Sequence, residues 1–301
     1  MSLILKPHDQ HSVEHLKRTL GNTVITAPSE LSCVVAADEV PRIIAEQAVE
    51  TVEALLQDFI GWLKKLDIPV RSHSELITVG LFHKKTDYEA YLKQEGLEGL
   101  TGSLGATHPV RLISLILCDP MELKATSPYE VIAHESIHLF SLKSGLCPGW
   151  DAWPRWLHEG LAMLGDHSAE KRLKRPSNRS KKNAPRPDSS SQLFATRNED
   201  RARDWKKSAS HLDISLFLRR DLTKNPLSNV DDYAASWAIT SALSKWQNGS
   251  ILQLLIEELA NRFMQYESTQ TIEVTAADWL KVEMGEKWPD FMKFARGLAE
   301  S

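Results

Sequence analysis

The chain has few cysteines, no long apolar run and no sign of a phosphate-binding loop. Its three cysteines, Cys33, Cys118 and Cys147, are widely spaced and form no C-x-x-C pair. This odd number excludes a disulfide scaffold and is typical of a reducing compartment. No stretch approaches the roughly 18–20 apolar residues that a membrane-spanning helix needs. The N-terminal apolar patch is too short for a secretory signal, so we expect a cytoplasmic protein.

Acidic residues are absent from one strongly basic segment of the chain. Residues 171–187, "KRLKRPSNRSKKNAPRP", hold eight Lys or Arg and no acid, which leaves −12 for the rest of a chain whose total is −4. We expect the range 167–210 to be a flexible basic insertion. Such a segment could also fold back onto the acidic body, or bind nucleic acid or an anionic surface.

The remaining composition is that of a globular protein, with 42% hydrophobic and 25% charged residues. Patterns of β-branched residues predict strands within 24–37, 76–85 and 110–118, and apolar residues at helical spacing predict helices at 40–66 and 87–95. The glycine-containing stretch 96–109 is predicted to be a loop. Later segments favour helices alone, over 128–143, about 155–165, 211–220, 231–247, 250–266, 276–283 and 287–299. We therefore expect an α+β fold, with an N-terminal α/β lobe at 1–126 that carries a small mixed sheet and a helical C-terminal lobe at 211–301.

The stretch "VIAHESIHLF", residues 131–140, combines two histidines with a glutamate on a predicted helix. "SPYE" at 127–130 has the order of a capping box, and Gly145 is a typical helix stop. His134 and His138 are one turn apart on one face, so both imidazoles can reach a single ion about 2.0–2.1 Å from each. Glu135 projects beside them and does not have to be a ligand.

The other faces of this helix are apolar, which predicts that the helix is buried. Burying two imidazoles and a carboxylate without partners would cost several kcal/mol, and coordination of a dication is the usual compensation. The alternatives are that the histidines are core residues hydrogen-bonded to neighbours, or that the pattern arose by chance.

A catalytic zinc ion needs a third protein ligand. A histidine six residues after the second one is excluded, because Ser141 and Ser144 stand where glycine and histidine would be needed. "WPRWLHEGLAML", residues 153–164, offers Glu159, which lies 21 residues after the second histidine on the next predicted helix. Gly160 would allow the two helices to approach closely. His158 is a competing donor that points about 100° away around the helix.

"HESIH" followed by "WLHEGLA" resembles the gluzincin zinc metallopeptidases, in particular the bacterial peptidase-MA-like families with AHExxH and a W-L-x-E-G-x-A helix. The resemblance covers about 24–166 and, more loosely, 211–299. It implies a zincin-like fold with the active site between two lobes, and zinc-binding helices at 127–166. It also implies that His134, His138 and Glu159 bind zinc and that Glu135 is the catalytic base. The insertion at 167–210 has no counterpart in these families.

"DDYAASWAIT" at 231–240 is similar to a Tyr-x-x-Ser/Ala-Trp helix of related families. The resemblance implies that Tyr233 faces the metal and donates its phenol hydroxyl to the oxyanion. Alternatively, Tyr233 and Trp237, which are one turn apart, are core aromatics.

Three further features concern the surroundings of the metal. Asp151 and Asp166 are candidates to orient the zinc-bound histidines. The strand at 110–118 either borders the cleft, where a peptide would add as an antiparallel strand, or lies inside the core. Three tryptophans either line the cleft or pack between the two helices: Trp150, Trp153 and Trp156.

Together these features predict a zinc-dependent peptidase that cleaves peptide bonds of a peptide or protein substrate with a metal-activated water. The alternative from another class is a catalytically inactive zinc-binding scaffold or interaction module. A base that binds no metal, Glu135, favours catalysis, because a scaffold needs only the ligands. A third alternative is nucleic-acid binding through the basic segment.

Overall fold

The computed structural model describes residues 7–26, 31–72, 76–123, 126–173, 194, 198–220, 229–265 and 271–298. Strands and helices alternate in the first part of the chain. They are α1 Pro7–Leu20, β1 Thr23–Thr26, β2 Ser32–Ala36, α2 Arg42–Lys65, β3 Ile77–Phe82, α3 Lys85–Gln94, β4 Gly105–His108, β5 Ile113–Leu117 and α4 Pro120–Leu123.

Helices follow in the second part, and short 3-10 turns lie at Trp150–Ala152, Trp246–Gly249 and Gly285–Lys287. The α-helices are α5 Pro128–Lys143, α6 Arg155–Leu173, α7 Glu199–Ser208, α8 Ile214–Leu218, α9 Val230–Lys245, α10 Ser250–Gln265, α11 Ile272–Met284 and α12 Trp288–Gly297. The α+β class with a small mixed sheet is thus confirmed. No helix of the described residues is long and apolar enough to cross a membrane.

The strands form one mixed sheet in the order β1-β2-β3-β5-β4. β2, β3 and β5 run parallel, and β1 and β4 are antiparallel strands at the two edges. The three inner strands are buried along their whole length, as is typical of parallel strands covered on both faces. α1 packs against β2 and β3 on one face, and α2 and α5 cover the other.

α5 lies where the capping-box pattern predicts it. Ser127 accepts a hydrogen bond at the start of the helix, and the side chain of Glu130 reaches back to the Ser127 backbone. The helix packs against β4 and β5 on one side and against α6 on the other. It is therefore held between the edge of the sheet and the helical part of the molecule.

Several elements differ from the sequence-based expectations, among them α4 and α7, which were not predicted. α1 was not predicted, and β4 lies inside the stretch 96–109 that was predicted to be a loop. As a result β5, which corresponds to the predicted strand at 110–118, is an inner strand. β4 forms the edge of the sheet in its place. β4 is short and contains glycine, so the strand exists because it pairs with β5, from Gly105 opposite Ile116 to His108 opposite Ile113.

Both ends of the range 167–210 are helical among the described residues. α6 continues to Leu173, and α7 packs against α9 with Trp205 buried. Residues 174–193 and 195–197 lie outside the described residues, as does most of the basic segment. Its predicted flexibility, and its binding to nucleic acid, therefore stay predictions.

A buried polar cluster holds the C-terminal end of β4, at His108, in place. Glu95 at the end of α3 accepts hydrogen bonds from both Arg111 and His108, with 3.1 Å between Arg111 Nη2 and Glu95 Oε1 and 3.3 Å between His108 Nε2 and Glu95 Oε2. Burial lowers the pKa of His108, although the neighbouring Glu95 opposes the change. The ring is therefore held mainly neutral in the folded state.

We expect His108 to lower the stability of the protein when the pH is lowered from 7 into the acid range. Because the pKa of His108 in the folded state lies below its unfolded value of 6.5, the unfolded chain binds more protons as the pH drops through 6.5. Urea unfolding at a series of pH values measures this, and His108→Gln should flatten the dependence. The exposed His11 supplies a control, and an equal flattening by His11→Gln would contradict the assignment.

Candidate metal centre

Side chains from α5 and α6 converge on one point in the described structure. His134, His138 and Glu159 each contribute one possible ligand atom, and these atoms all lie within 4.8 Å of one another. His134 Nε2 is 3.1 Å from Glu159 Oε2 and 3.2 Å from His138 Nε2, and His138 Nε2 is 3.7 Å from Glu159 Oε2. The structure thus brings together the two histidines and the glutamate that the sequence analysis selected.

This spacing fits a tetrahedral metal ion. Ligand atoms about 2.0–2.1 Å from a tetrahedral ion lie roughly 3.3 Å from one another, close to the three separations observed. Two imidazoles and a carboxylate form a donor set typical of catalytic zinc, with a fourth position left for water. His138 and Glu159 are almost fully buried, so the donors are withdrawn from competing solvent.

The charges around the three donors also favour a cation. Burial lowers the pKa of His134, but Asp166 and Glu159 outweigh it and hold that pKa well above its usual value. Burial raises the pKa of Glu159, but hydrogen bonds from His134 and His138 outweigh it and hold that pKa well below its usual value. Two carboxylates therefore face the imidazoles in a buried place, where a dication would neutralise them.

Asp166 orients the first histidine. Its Oδ1 lies 3.1 Å from His134 Nδ1, and Asp166 is itself buried. If Nδ1 carries the hydrogen that Asp166 accepts, the lone pair of Nε2 faces the donor group, as in the carboxylate-histidine-zinc arrangement. The other candidate, Asp151, is exposed in the turn before α6 and makes no such contact with the described ligands.

His158 is a structural neighbour and does not belong to the donor group. Its Nε2 lies 3.0 Å from the Trp150 carbonyl oxygen and 3.8 Å from Cys147 Sγ, and its ring stacks on Trp150. Burial lowers the pKa of His158 to about 3, with His138 adding to the effect, so the ring stays neutral.

Glu135 is not one of the three donors, and its carboxylate is held by the edge of the sheet. The hydroxyl of Thr107 lies 2.7 Å from Glu135 Oε2, and Ser114 Oγ donates to the Glu135 carbonyl oxygen at 3.0 Å. Thr107 and Ser114 are cross-strand partners of β4 and β5 and so share a face of the sheet. A Cβ at Gly105 would lie 2.8 Å from Glu135 Cγ, so glycine lets the strand come this close.

If the cleft hydrolyses peptides, as the motifs predict, replacing Thr107 by valine is expected to lower kcat by about tenfold or more, because a hydrogen bond to a charged group contributes roughly 1.5–3 kcal/mol. KM and zinc content should stay unchanged, and Thr107→Ser should restore kcat. Thr78→Val is a matched control, since Thr78 is a buried strand residue whose hydroxyl has no hydrogen-bond partner. Equal losses in both valine variants would show that Thr107 does not position Glu135.

A cleft of about 620 Å³ opens over these residues, a size typical of ligand sites. Glu135 and Tyr233 both line it, together with β4. Burial, followed by the charge of Glu159, raises the pKa of Tyr233 to about 12, so its hydroxyl keeps its proton. Of the three tryptophans only Trp150 lines the cleft, whereas Trp153 and Trp156 are buried in the core.

Gly160 serves a different helix pair from the one expected. A Cβ at this position would lie 2.0 Å from Thr240 Oγ1 and 2.5 Å from the Ser236 carbonyl oxygen, both on α9. The glycine therefore lets α6 approach α9 closely. Because Tyr233 is on α9, this close packing still helps to place it over the cleft.

Cleft residues outside the motifs were not predicted from the sequence. Thr107 lines the cleft, and its cross-strand partner Ser114 lies behind it in a hairpin whose turn contains Pro109. Pro109 was the sequence signal for that turn. Arg155 and Arg201 also line the cleft. Arg155 is the first residue of α6, where the helix dipole disfavours a cation. This unusual position was the sequence signal that Arg155 has a functional role.

The described structure is therefore an α+β protein with a candidate metal centre built from two helices beside the edge of a mixed sheet. Residues 129–263 match the model of a family described as "Protein of unknown function (DUF1570)". The matched range runs from α5 to α10 and contains the three donors together with Glu135 and Tyr233. No curated protein matches the chain significantly.

Proposed function

We propose that the protein is a zinc-dependent peptidase with a zincin-like fold. The observation that carries this proposal is the tetrahedral spacing of His134, His138 and Glu159 beside a carboxylate, Glu135, that is not one of the donors. A site that only bound metal would not need this fourth group in the same cleft.

Glu135 is the proton carrier of the proposed reaction. Zinc supplies a water of pKa near 7 and polarises the scissile carbonyl group when it is bound. The carboxylate of Glu135 accepts a proton from the attacking water and later donates it to the leaving amine. Thr107, at 2.7 Å from Glu135 Oε2, fixes the direction of the carboxylate while both transfers occur.

Tyr233 and β4 bind the substrate around the reacting bond. The phenol hydroxyl of Tyr233 stays protonated and donates a hydrogen bond to the carbonyl oxygen as negative charge develops on it. β4 has one paired side, toward β5, and lies at the edge of the described sheet with Gly105 to Thr107 in the cleft wall. An extended peptide adds to this edge by backbone hydrogen bonds.

Cleavage of a mixed peptide library, with zinc measured on the same samples, tests the proposal. Wild-type protein should contain zinc and cleave peptides, and a chelator should abolish cleavage until zinc is added back. Zinc without cleavage in any pool would favour the inactive scaffold instead. Absence of zinc from freshly purified, chelator-free protein, with no uptake when zinc is supplied, would overturn both.

A further inference from the structure

Two arginines line the cleft close to the candidate metal centre. Arg155 starts α6, and its Cζ lies 4.9 Å from the ring centroid of Trp150. Arg201 lies on α7, and its Cζ lies 5.9 Å from the ring centroid of Tyr233. A guanidinium group over an aromatic face is held in place while its N–H groups stay available for a ligand.

Neither guanidinium group is neutralised by the described residues. Among the described residues, buried Nη1 of Arg155 has no hydrogen-bond partner, and no carboxylate forms an ion pair with Arg155 or Arg201. A buried charged donor without a partner is costly. The first turn of α6 adds to that cost, because it contains no acid and the helix dipole disfavours a cation there. A residue that destabilises the fold where it stands, with no interaction in the protein to offset this, is often one that binds a ligand.

The acids of the cleft, by contrast, already have partners. They are Glu130 with the Ser127 backbone N–H, Glu135 with Thr107, Glu159 and Asp166 with His134, and Asp200 with Arg203. These hydrogen bonds leave the carboxylates charged but occupied, whereas Arg155 and Arg201 are charged groups of the lining with no ion-pair partner among the described residues. Their guanidinium groups are therefore available to an anionic group of the ligand.

We infer that Arg155 and Arg201 bind a carboxylate of the substrate, so that the preferred substrates are peptides with a free carboxylate near the scissile bond. The inference rests on the proposed function and names its substrate class. The fork of a guanidinium group matches a carboxylate in two parallel hydrogen bonds. Both an acidic side chain and the C-terminal carboxylate present this chemistry.

Peptide binding to zinc-loaded Glu135→Gln protein tests the inference without cleavage. Random short peptides are offered in four pools, with free or amidated C-termini and with or without Asp and Glu, and the retained peptides are identified by mass spectrometry. We expect pools with a carboxylate to be retained at least about tenfold better than the amidated pool without acids. Adding Arg155→Gln should remove this preference and leave the binding of neutral peptides unchanged.

Arg42→Gln is the matched control, because Arg42 is also the first residue of a helix but is exposed and paired with Glu46. Retention of free C-termini alone assigns the site to the terminal carboxylate, and retention of amidated acidic peptides assigns it to a side chain. Equal retention of all pools, with cleavage by the wild type intact, would overturn the inference and leave the proposed function standing. No retention of any pool and no cleavage by the zinc-loaded wild type would overturn both.

Discussion

Replacement of Glu135 by glutamine is expected to lower kcat/KM for a peptide identified from the library by about 10²–10⁴-fold, the usual contribution of a general base. Zinc content should remain that of the wild type, because the Glu135 side chain lies outside the group of three donors. Glutamine keeps the size of the side chain and can still hydrogen-bond with Thr107 but cannot accept the proton of water.

Glu130→Gln is the control for this prediction. It makes the same change on the same helix, lines the same cleft, and preserves the capping box, in which glutamine can replace glutamate. Its activity should be close to that of the wild type. Full activity of Glu135→Gln would exclude Glu135 as the base, and loss of zinc from that variant would show that the residue has a structural role at the metal.

Glu159→Gln is expected to weaken zinc binding by more than about 100-fold, since even the loss of a residue that only orients a ligand costs about 10–100-fold in metal affinity. The neutral amide is a poor zinc ligand and removes one of two carboxylate charges beside His134. A competitive titration with a zinc chelator measures the affinity, and peptide cleavage should be lost in parallel at limiting zinc.

His158→Gln is the neighbouring control on the same helix. This change removes the ring that stacks on Trp150 and the interaction with the Trp150 carbonyl oxygen, so it should reduce the free energy of unfolding. Zinc affinity should remain within the range of the wild type in the folded fraction. If His158→Gln lost zinc and Glu159→Gln kept it, the third ligand would be the histidine.

The parts of the site that follow from local sequence could be predicted. The capping box at Ser127 predicted where α5 begins, and helical spacing predicted that His134 and His138 share a face. Helical spacing also accounts for Asp166, which follows Glu159 by two turns and therefore lies on the same side of α6.

The parts that depend on tertiary contacts could not be predicted in the same way. β4 has few residues typical of strands, and only its pairing with β5 places Thr107 against Glu135. α7 is strongly polar, and its position depends on packing against α9 and on Trp205, whose Nε1 donates to the Ala295 carbonyl oxygen at 3.0 Å. Arg201 reaches the cleft only because of that packing.

The metal content of the freshly purified protein tests the central claim most directly. Native mass spectrometry of protein that has met neither chelator nor added metal should show a single zinc ion on each chain of the wild type. The same measurement on Glu159→Gln should show protein without zinc. Wild-type protein that carries no zinc, and that takes up none when zinc is supplied, would contradict the account.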